Sequence, residues 1–165
     1  MSQTTQSSGV VLFIATLIVG FCLAGVHLPE QLESFRPEWV VLILLYWVIV
    51  MPYQIGVYTA ATIGLLLDVF LGTALGQHML SLSVVTYITY LLHKRIRIFP
   101  IWQQCLTIFL LVGIYQLINR MIQGLVGGAP IEISYYFPTF VGAFIWPWVY
   151  LVLRGLRRFY QVGES

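Results

Sequence analysis

IGVYTAATIGLLLDVFLGTALG, from Ile55 to Gly76, is long enough to cross a bilayer and holds a single acidic residue, Asp68. Small residues recur around it at four-residue intervals: Gly56, Ala60, Gly64, Gly72 and Gly76. On a helix, four residues advance by about 400°, so these positions share one face. A carboxylate in hydrocarbon costs several kcal/mol, and small residues let another helix approach and shield it. The stretch therefore predicts a packing helix of a polytopic membrane protein, with Gly64, Gly72 and Gly76 as a close-packing surface.

The composition of the whole chain indicates the same class. Of 165 residues, 59% are hydrophobic and 8% are charged, against about a quarter charged in soluble domains. No linker divides the chain, so we predict one membrane domain, residues 1–165. The net charge is only +2, and most of the basic residues lie in clusters. This charge pattern does not favour nucleic-acid binding. Cys22 and Cys105 lie in apolar runs, which predicts buried thiols and neither a disulfide nor a zinc site.

Hydropathy predicts six membrane spans, at about residues 9–28, 37–51, 55–71, 79–92, 101–118 and 136–153. No basic segment or cleavage site marks the first span as a signal peptide, so we interpret it as a retained helix. Several spans are shorter than the usual ~20 residues, which indicates local thinning of the bilayer or burial within a bundle. Open sheet edges are excluded from lipid, so the prediction is an all-α, six-helix transmembrane bundle.

The basic residues predict the orientation, because cytoplasmic loops carry the excess of lysine and arginine. If both termini are cytoplasmic, six of the eight basic residues lie inside: Lys94, Arg95, Arg97, Arg154, Arg157 and Arg158. The outer side then holds two basic and four acidic residues: Arg36, Arg120, Glu30, Glu33, Glu38 and Glu132. We therefore predict a multi-pass protein of the cytoplasmic membrane with both termini inside.

The junction before the second span has the features of a helix start. Pro37 suits a first turn, Glu38 is favourable near the positive end of the helix dipole, and Trp39 belongs to an interfacial aromatic belt. These roles leave Arg36, an arginine at the membrane rim, without an assignment. It either pairs with Glu33 or Glu38, or contacts a partner protein.

Asp68 has three interpretations: a structural hydrogen-bonding anchor, a site of proton or ion coupling, or part of a ligand pocket. Ion coupling usually needs further ionisable groups inside the membrane. The other spans offer uncharged polar groups instead, such as Gln116, Ser81, Ser83 and Thr86. We favour the structural anchor.

The triplet Trp146-Pro147-Trp148 lies inside the sixth predicted span. Pro147 removes a backbone donor and is expected to kink the helix. The two tryptophans are either packing bulk or a contact surface for another helix, and we favour packing within this chain.

The ionisable side chains show no spacing typical of an active site. His27, His78 and His93 each fall near a predicted membrane boundary, which favours interfacial hydrogen bonding over ligand or switch roles. The sequence has no glycine-rich phosphate loop, no nucleophile–base spacing and no paired carboxylates. We expect neither enzymatic activity nor a metal or cofactor.

Four stretches together carry a resemblance to a known family: FRPEWVVLILLYW from Phe35, GLLLDVFLGTALG from Gly64, WQQ from Trp102 and WPW from Trp146. They resemble the rod shape-determining protein MreD family of rod-shaped Gram-negative bacteria, over nearly the whole chain from Phe35 to Arg158. The block in which Gly64, Asp68, Gly72 and Gly76 recur is its most specific part.

The resemblance implies a non-enzymatic inner-membrane scaffold of the elongasome that supports peptidoglycan synthesis and rod cell shape. The implied direct partner is the bitopic protein MreC, and the wider complex contains MreB, RodA and a class B penicillin-binding protein. The outer rim with Arg36, Glu38 and Trp39 is where MreC could meet both a charge and an aromatic anchor.

The family fold also resembles the substrate-binding membrane subunits of energy-coupling-factor transporters. That kinship implies an alternative, a small-molecule-binding subunit of a transporter. In such subunits the outward loops form the pocket, and this sequence offers few convergent polar groups there.

Overall fold

The structure, a computed structural model, describes residues 2–26, 29, 35–127 and 133–159. Six α-helices lie within these residues: α1 (Ser2–Gly25), α2 (Trp39–Val50), α3 (Val57–Leu71), α4 (Gln77–Ile96), α5 (Ile101–Leu125) and α6 (Phe137–Phe159). A short 3₁₀ helix, Ile133–Tyr136, leads into α6. The prediction of an all-α architecture with six helices is confirmed. The predicted roles of His27, Glu30, Glu33 and Glu132 fall outside the described residues.

The helices differ from the predicted spans mainly at their ends. Helices α4, α5 and α6 extend beyond residues 92, 118 and 153. The final helical turns therefore contain His93, Lys94 and Arg95 in α4 and Arg157 and Arg158 in α6. Basic side chains there interact favourably with the negative end of the helix dipole. Pro37 does not open α2, because the helix begins at Trp39 and the backbone of Glu38 is not helical. Helix ends are the part of a sequence pattern that is defined least well.

Helix α2 forms the centre of the bundle. Every residue from Val40 to Ile49 is buried, and α1, α4 and α6 pack against it. Its 12 residues span about 18 Å, which is less than the ~30 Å hydrocarbon core. A helix that is apolar all round is stable only in an apolar interior. The short second span is therefore a core helix enclosed by its neighbours.

The surrounding helices expose large apolar side chains, which indicates a membrane protein. Each of the five contributes such residues, for example Val19, Val69, Leu91, Leu110 and Phe144. Soluble monomers rarely expose large contiguous apolar patches. Among the described helices, α5 and α6 are long and apolar enough to cross a membrane. The prediction that both thiols are buried is wrong for Cys22, which α1 exposes on this outer surface.

Polar side chains join neighbouring helices inside the bundle. The Trp47 indole N–H donates to Thr16 Oγ1 at 3.0 Å and joins α2 to α1. The Ser81 hydroxyl donates to Asn119 Oδ1 at 2.7 Å and joins α4 to α5. A polar group in an apolar interior needs such a partner, so each bond fixes which faces of two helices meet.

The bundle has two ends of different character. One end, which we call the rim end, holds Asp68 near the end of α3, Trp39 at the start of α2 and Phe137 at the start of α6. Neighbouring residues of α5 connect these helix ends, because Tyr115 contacts His78 beside Asp68 and Gln116 bonds to Glu38 and Thr139. The opposite end, which we call the basic end, holds the basic last turns of α4 and α6.

Candidate functional site

The Asp68 carboxylate, fully buried near the end of α3, accepts five hydrogen bonds from described residues. Three come from backbone N–H groups at the start of α4: Gly76 at 2.9 Å, His78 at 2.9 Å and Met79 at 3.3 Å. The Thr73 hydroxyl donates at 3.0 Å, and His78 Nδ1 lies 2.7 Å from the carboxylate. The first N–H groups of a helix lack partners within it and carry partial positive charge. A carboxylate of α3 thus caps α4.

Two of the glycines in the Asp68 block are needed for the turn between α3 and α4, and not for helix packing. Gly72 ends α3 with φ +66°, and Gly76 precedes α4 with φ +97°. A Cβ on either would meet no atom within 4 Å. The prediction that Gly72 and Gly76 form a close-packing surface is therefore wrong. Glycine adopts the left-handed conformation without steric cost, and this turn brings the α4 N–H groups to Asp68.

Gly64 lies where the backbones of α3 and α4 touch. A Cβ at this position would lie 2.5 Å from the Met79 Cα and 2.6 Å from the Met79 N. These are backbone atoms, which cannot rotate away as a side chain could. Of the predicted glycine track, Gly64 is the position at which any side chain would separate the two helices.

His78 is buried inside the bundle at the start of α4. Its ring lies between the Asp68 carboxylate and the fully buried ring of Tyr115, whose centroid is 5.9 Å away. The sequence analysis missed this pairing. The sequence feature that could have predicted the pairing is the ten-residue separation of Asp68 and His78 across a glycine-containing turn. Such a turn places the end of one helix beside the start of the next.

A second carboxyl group, Glu38, is half-buried just before α2. It hydrogen-bonds with the Gln116 side chain of α5, and it makes no side-chain cap to its own helix. The Gln116 Oε1 atom also accepts a hydrogen bond from the Thr139 hydroxyl of α6. Gln116 therefore connects the starts of α2 and α6 through α5.

Arg36 links the α1–α2 connection to the end of α1. Its guanidinium group donates to the Leu23 carbonyl oxygen at 3.3 Å, and its charge acts on Glu38. The last carbonyl groups of a helix lack partners within it, so this bond caps α1. Glu33, the other acidic residue considered for Arg36, lies outside the described residues.

Three aromatic residues and one arginine lie at this end, and we call them the rim: Phe35, Arg36, Trp39 and Phe137. The rings of Phe35 and Phe137 stack with centroids 5.3 Å apart, and both side chains remain exposed. Arg36 and Trp39 follow Phe35 in the chain and are half-buried. Glu38, which the sequence analysis placed on the same outer rim, instead makes its hydrogen bond in the interior.

The two tryptophans beside Pro147 have opposite environments. Trp146 is fully buried, and its indole N–H points to Gln104 Oε1 at 3.4 Å. Trp148 is 69% exposed on the outside of α6. The preference for packing within the chain is therefore wrong for Trp148. Helix α6 continues through Pro147 from Phe137 to Phe159.

Gln104 caps the other end of α4, and the sequence analysis gave it no role beyond its place in the WQQ stretch. Its amide nitrogen donates to the carbonyl oxygens of Ile96 and Phe99, each at 3.1 Å. Its own oxygen faces the Trp146 N–H. Both ends of α4 are thus capped by side chains of neighbouring helices. The sequence feature that could have predicted this cap is a glutamine four residues after Pro100, in the first turn of α5.

Among the residues that the structure describes, no three His, Cys, Asp or Glu side chains are grouped so that they could hold a metal ion.

The chain matches a family model and a known protein sequence. The family model described as "rod shape-determining protein MreD" matches residues 5–156. A protein of Haemophilus influenzae (strain ATCC 51907 / DSM 11121 / KW20 / Rd) named rod shape-determining protein MreD is 30% identical over 145 residues, which cover 88% of this chain and 90% of that protein. No solved structure matches the chain.

Proposed function

The chain belongs to the MreD family of rod shape-determining proteins, and from this premise we propose that it is a non-enzymatic scaffold of the elongasome in the bacterial inner membrane. The observation that carries the proposal is the family match over residues 5–156. That range contains the Asp68 cap, the rim and Gln104. In this role the protein supports peptidoglycan synthesis by positioning other proteins and turns over no substrate.

We propose MreC as the direct partner and the rim as its contact. Exposed aromatic residues beside an arginine are the residue types that dominate binding energy at protein interfaces. The stack of Phe35 on Phe137 supports a fixed aromatic surface, because each ring restricts the other. MreB, RodA and a class B penicillin-binding protein belong to the wider complex in this proposal.

A scaffold accounts for the buried polar groups better than a transporter subunit resembling those of energy-coupling-factor systems. Within the described part of the chain, the Asp68 carboxylate is bonded to α4 and Glu38 to Gln116. These groups hold helices together and do not converge on an open site. The proposal therefore assigns the ionisable groups of Asp68 and Glu38 to the stability of the fold and to assembly.

The proposed orientation places the rim end in the periplasm and the basic end in the cytoplasm. The support is the distribution of basic residues, with Lys94, Arg95 and Arg97 at one end of α4 and Arg157 at the same end of α6. A partner with one membrane span that continues into the periplasm would meet the rim there.

The experiment is copurification with MreC in detergent followed by native mass spectrometry, with photo-crosslinkers placed in the membrane protein. Crosslinkers at Phe35 and Trp39 of the rim, and at Val141 about one turn after Phe137 on α6, are expected to capture MreC. The matched control is Tyr58, which is 92% exposed at the basic end. Capture from Tyr58 but from none of the other three positions would place the contact elsewhere. No copurification of MreC under any condition would overturn the proposal.

Reversing the charge of Arg36 is not a clean test of the same contact. In the structure Arg36 caps α1 and faces Glu38, so the substitution removes a hydrogen bond and brings two carboxylates together. Crosslinking from the aromatic residues separates partner contact from folding.

A further inference from the structure

The rim is built from two parts that are far apart in the sequence. Phe35, Arg36 and Trp39 come from the connection before α2 and from its first residue, whereas Phe137 is the first residue of α6. The rings of Phe35 and Phe137 stack across this boundary at an interplanar angle of 21°. Aromatic pairs are favourable at centroid separations of about 4.5–7 Å. The stack therefore depends on a constant separation of the two parts.

A buried glutamine beneath the rim bonds to both parts. Gln116 is 1% exposed and belongs to α5, which contributes no residue to the rim. Its Oε1 atom accepts a hydrogen bond from the Thr139 hydroxyl, two residues after Phe137. Its amide nitrogen is the atom that can donate to the Glu38 carboxylate, one residue before Trp39. Each part of the rim is thus attached to a different atom of one side chain.

Helix α5 supports this bonding, because α6 packs closely against it. A Cβ on Gly113, one turn before Gln116, would lie 3.8 Å from Thr139 Cγ2. The rings of Phe109 and Phe140 also meet between the two helices, with centroids 5.0 Å apart. An amide in an apolar interior is costly without hydrogen-bond partners, so the Gln116 side chain restricts the groups bonded to it. These contacts fix α6 on α5, and the bond to the carboxylate before α2 extends the support to the other part of the rim.

We infer that Gln116 is a positioning residue of the rim, which holds the part with Phe35 and Trp39 and the part with Phe137 at the separation at which they form one binding surface. The inference rests on the proposed function, because it states how the rim is prepared for MreC. A preformed surface binds more tightly, since ordering loops and side chains on binding costs affinity. Loss of the Gln116 bonds raises this cost and removes no residue of the rim.

The separation of the two parts is tested by fluorine NMR of a fluorinated phenylalanine introduced at Phe137. The ring current of Phe35 shifts its resonance, and Phe35→Leu gives the resonance without the stack. Gln116→Glu places a second carboxylate beside Glu38, so the resonance is expected to move toward that of Phe35→Leu. The double variant Glu38→Gln/Gln116→Glu exchanges donor and acceptor and is expected to restore it. Gln103→Glu, at the start of the same helix, is the matched control without a shift. An unchanged resonance in Gln116→Glu would overturn the inference.

The effect on the partner is measured by native mass spectrometry of MreC copurified with the same variants. A hydrogen bond to a charged group contributes enough free energy to change an equilibrium constant about tenfold. MreC retention is therefore expected to fall about tenfold for Gln116→Glu and to recover in the double variant. Retention is measured well below the melting temperature of every variant, so that unfolding does not account for the loss.

Thr139→Val provides an independent test if Gln116→Glu does not fold, because it removes one hydroxyl donor and nearly keeps the shape of the side chain. It is expected to move the resonance in the same direction and to weaken MreC retention. A displaced resonance with unchanged MreC retention would contradict the inference, since the separation of the two parts would not matter to the partner. A wild type that retains no MreC would contradict the proposed function instead. The resonance is measured without MreC and therefore distinguishes the two failures.

Discussion

At the scale of single residues, Asp68 shows how a charge is accommodated in an apolar bundle. Its carboxylate receives backbone N–H groups of Gly76, His78 and Met79 together with two side-chain donors. An unsatisfied buried donor costs about 1–3 kcal/mol, so the cost of removing the carboxylate grows with the number of bonds lost. The Asp68 side chain therefore stabilises the start of α4.

We predict that Asp68→Asn is milder than Asp68→Leu. Asparagine keeps the size and one acceptor oxygen, so it can retain the bonds to Oδ1, whereas leucine leaves every donor without an acceptor. The expected loss of stability is about 1–3 kcal/mol for asparagine and several kcal/mol for leucine. Unfolding in detergent and the protein level in membranes measure the difference. If both variants assembled normally but neither supported cell elongation, a protonation role would replace the structural one.

Gly64 gives a second prediction at this scale. Gly64→Ala places a methyl group 2.5 Å from a backbone atom of α4, so α3 and α4 must separate, at a cost of about 1–3 kcal/mol. Gly56→Ala is the matched control, because a Cβ there meets no atom within 4 Å and the backbone φ is −114°. The melting temperature of the solubilised protein is expected to fall for Gly64→Ala alone. Equal melting of the two variants would show that the contact is not tight.

At the scale of elements, α4 is the helix whose ends are determined by its neighbours. Asp68 of α3 caps its beginning, and Gln104 of α5 caps its end. The contact with α3 runs along Gly64, and the Ser81–Asn119 bond fixes the face toward α5. Helix ends leave backbone groups without partners, and in an apolar environment water cannot replace these caps.

We predict that Gln104→Leu destabilises the protein and that Gln103→Leu does not. The first substitution removes the donor to the Ile96 and Phe99 carbonyls and leaves the Trp146 N–H without its acceptor. The expected cost is about 1–3 kcal/mol for each buried group left unpaired. Gln103 is half-buried on the same turn and serves as the control. Thermal unfolding in detergent measures both, and similar curves would mean that solvent or lipid headgroups satisfy these carbonyls.

At the scale of the whole molecule, the bundle has a central apolar helix, an outer surface rich in exposed hydrocarbon and two ends of different chemistry. The rim end holds both described carboxylates in internal hydrogen bonds, and the basic end holds arginines without an ion pair among the described residues. This asymmetry is expected for a membrane protein, because the cytoplasmic side carries the excess of lysine and arginine.

We predict that both termini are cytoplasmic. Reporter fusions at Ser165 and near Gly127 are expected to report opposite compartments, because α6 crosses between them. The basic residues at the ends of α4 and α6 provide the physical reason, since their translocation is disfavoured. The same compartment for both fusions would contradict a membrane-crossing α6.

The amino-acid sequence by itself determined the class of fold and the family, because both depend on local patterns. Six apolar stretches are enough to predict six helices, and the Asp68 block with its glycines carries the resemblance that the family match then confirmed. Only the tertiary structure decided which groups meet. The partners of Asp68, Glu38 and Gln104 lie on other helices, and a hydropathy pattern contains no information on which helix faces come together.

The same reason explains the residues whose roles were predicted incorrectly. Gly72 and Gly76 continue the spacing of Gly64, yet the chain leaves the helix after Leu71, so the spacing no longer describes a face. Trp146 and Trp148 are two residues apart on α6, which points them to different sides of the helix. Periodicity predicts that they diverge, but only the packing of α6 decides that Trp146 meets Gln104 and that Trp148 faces outward.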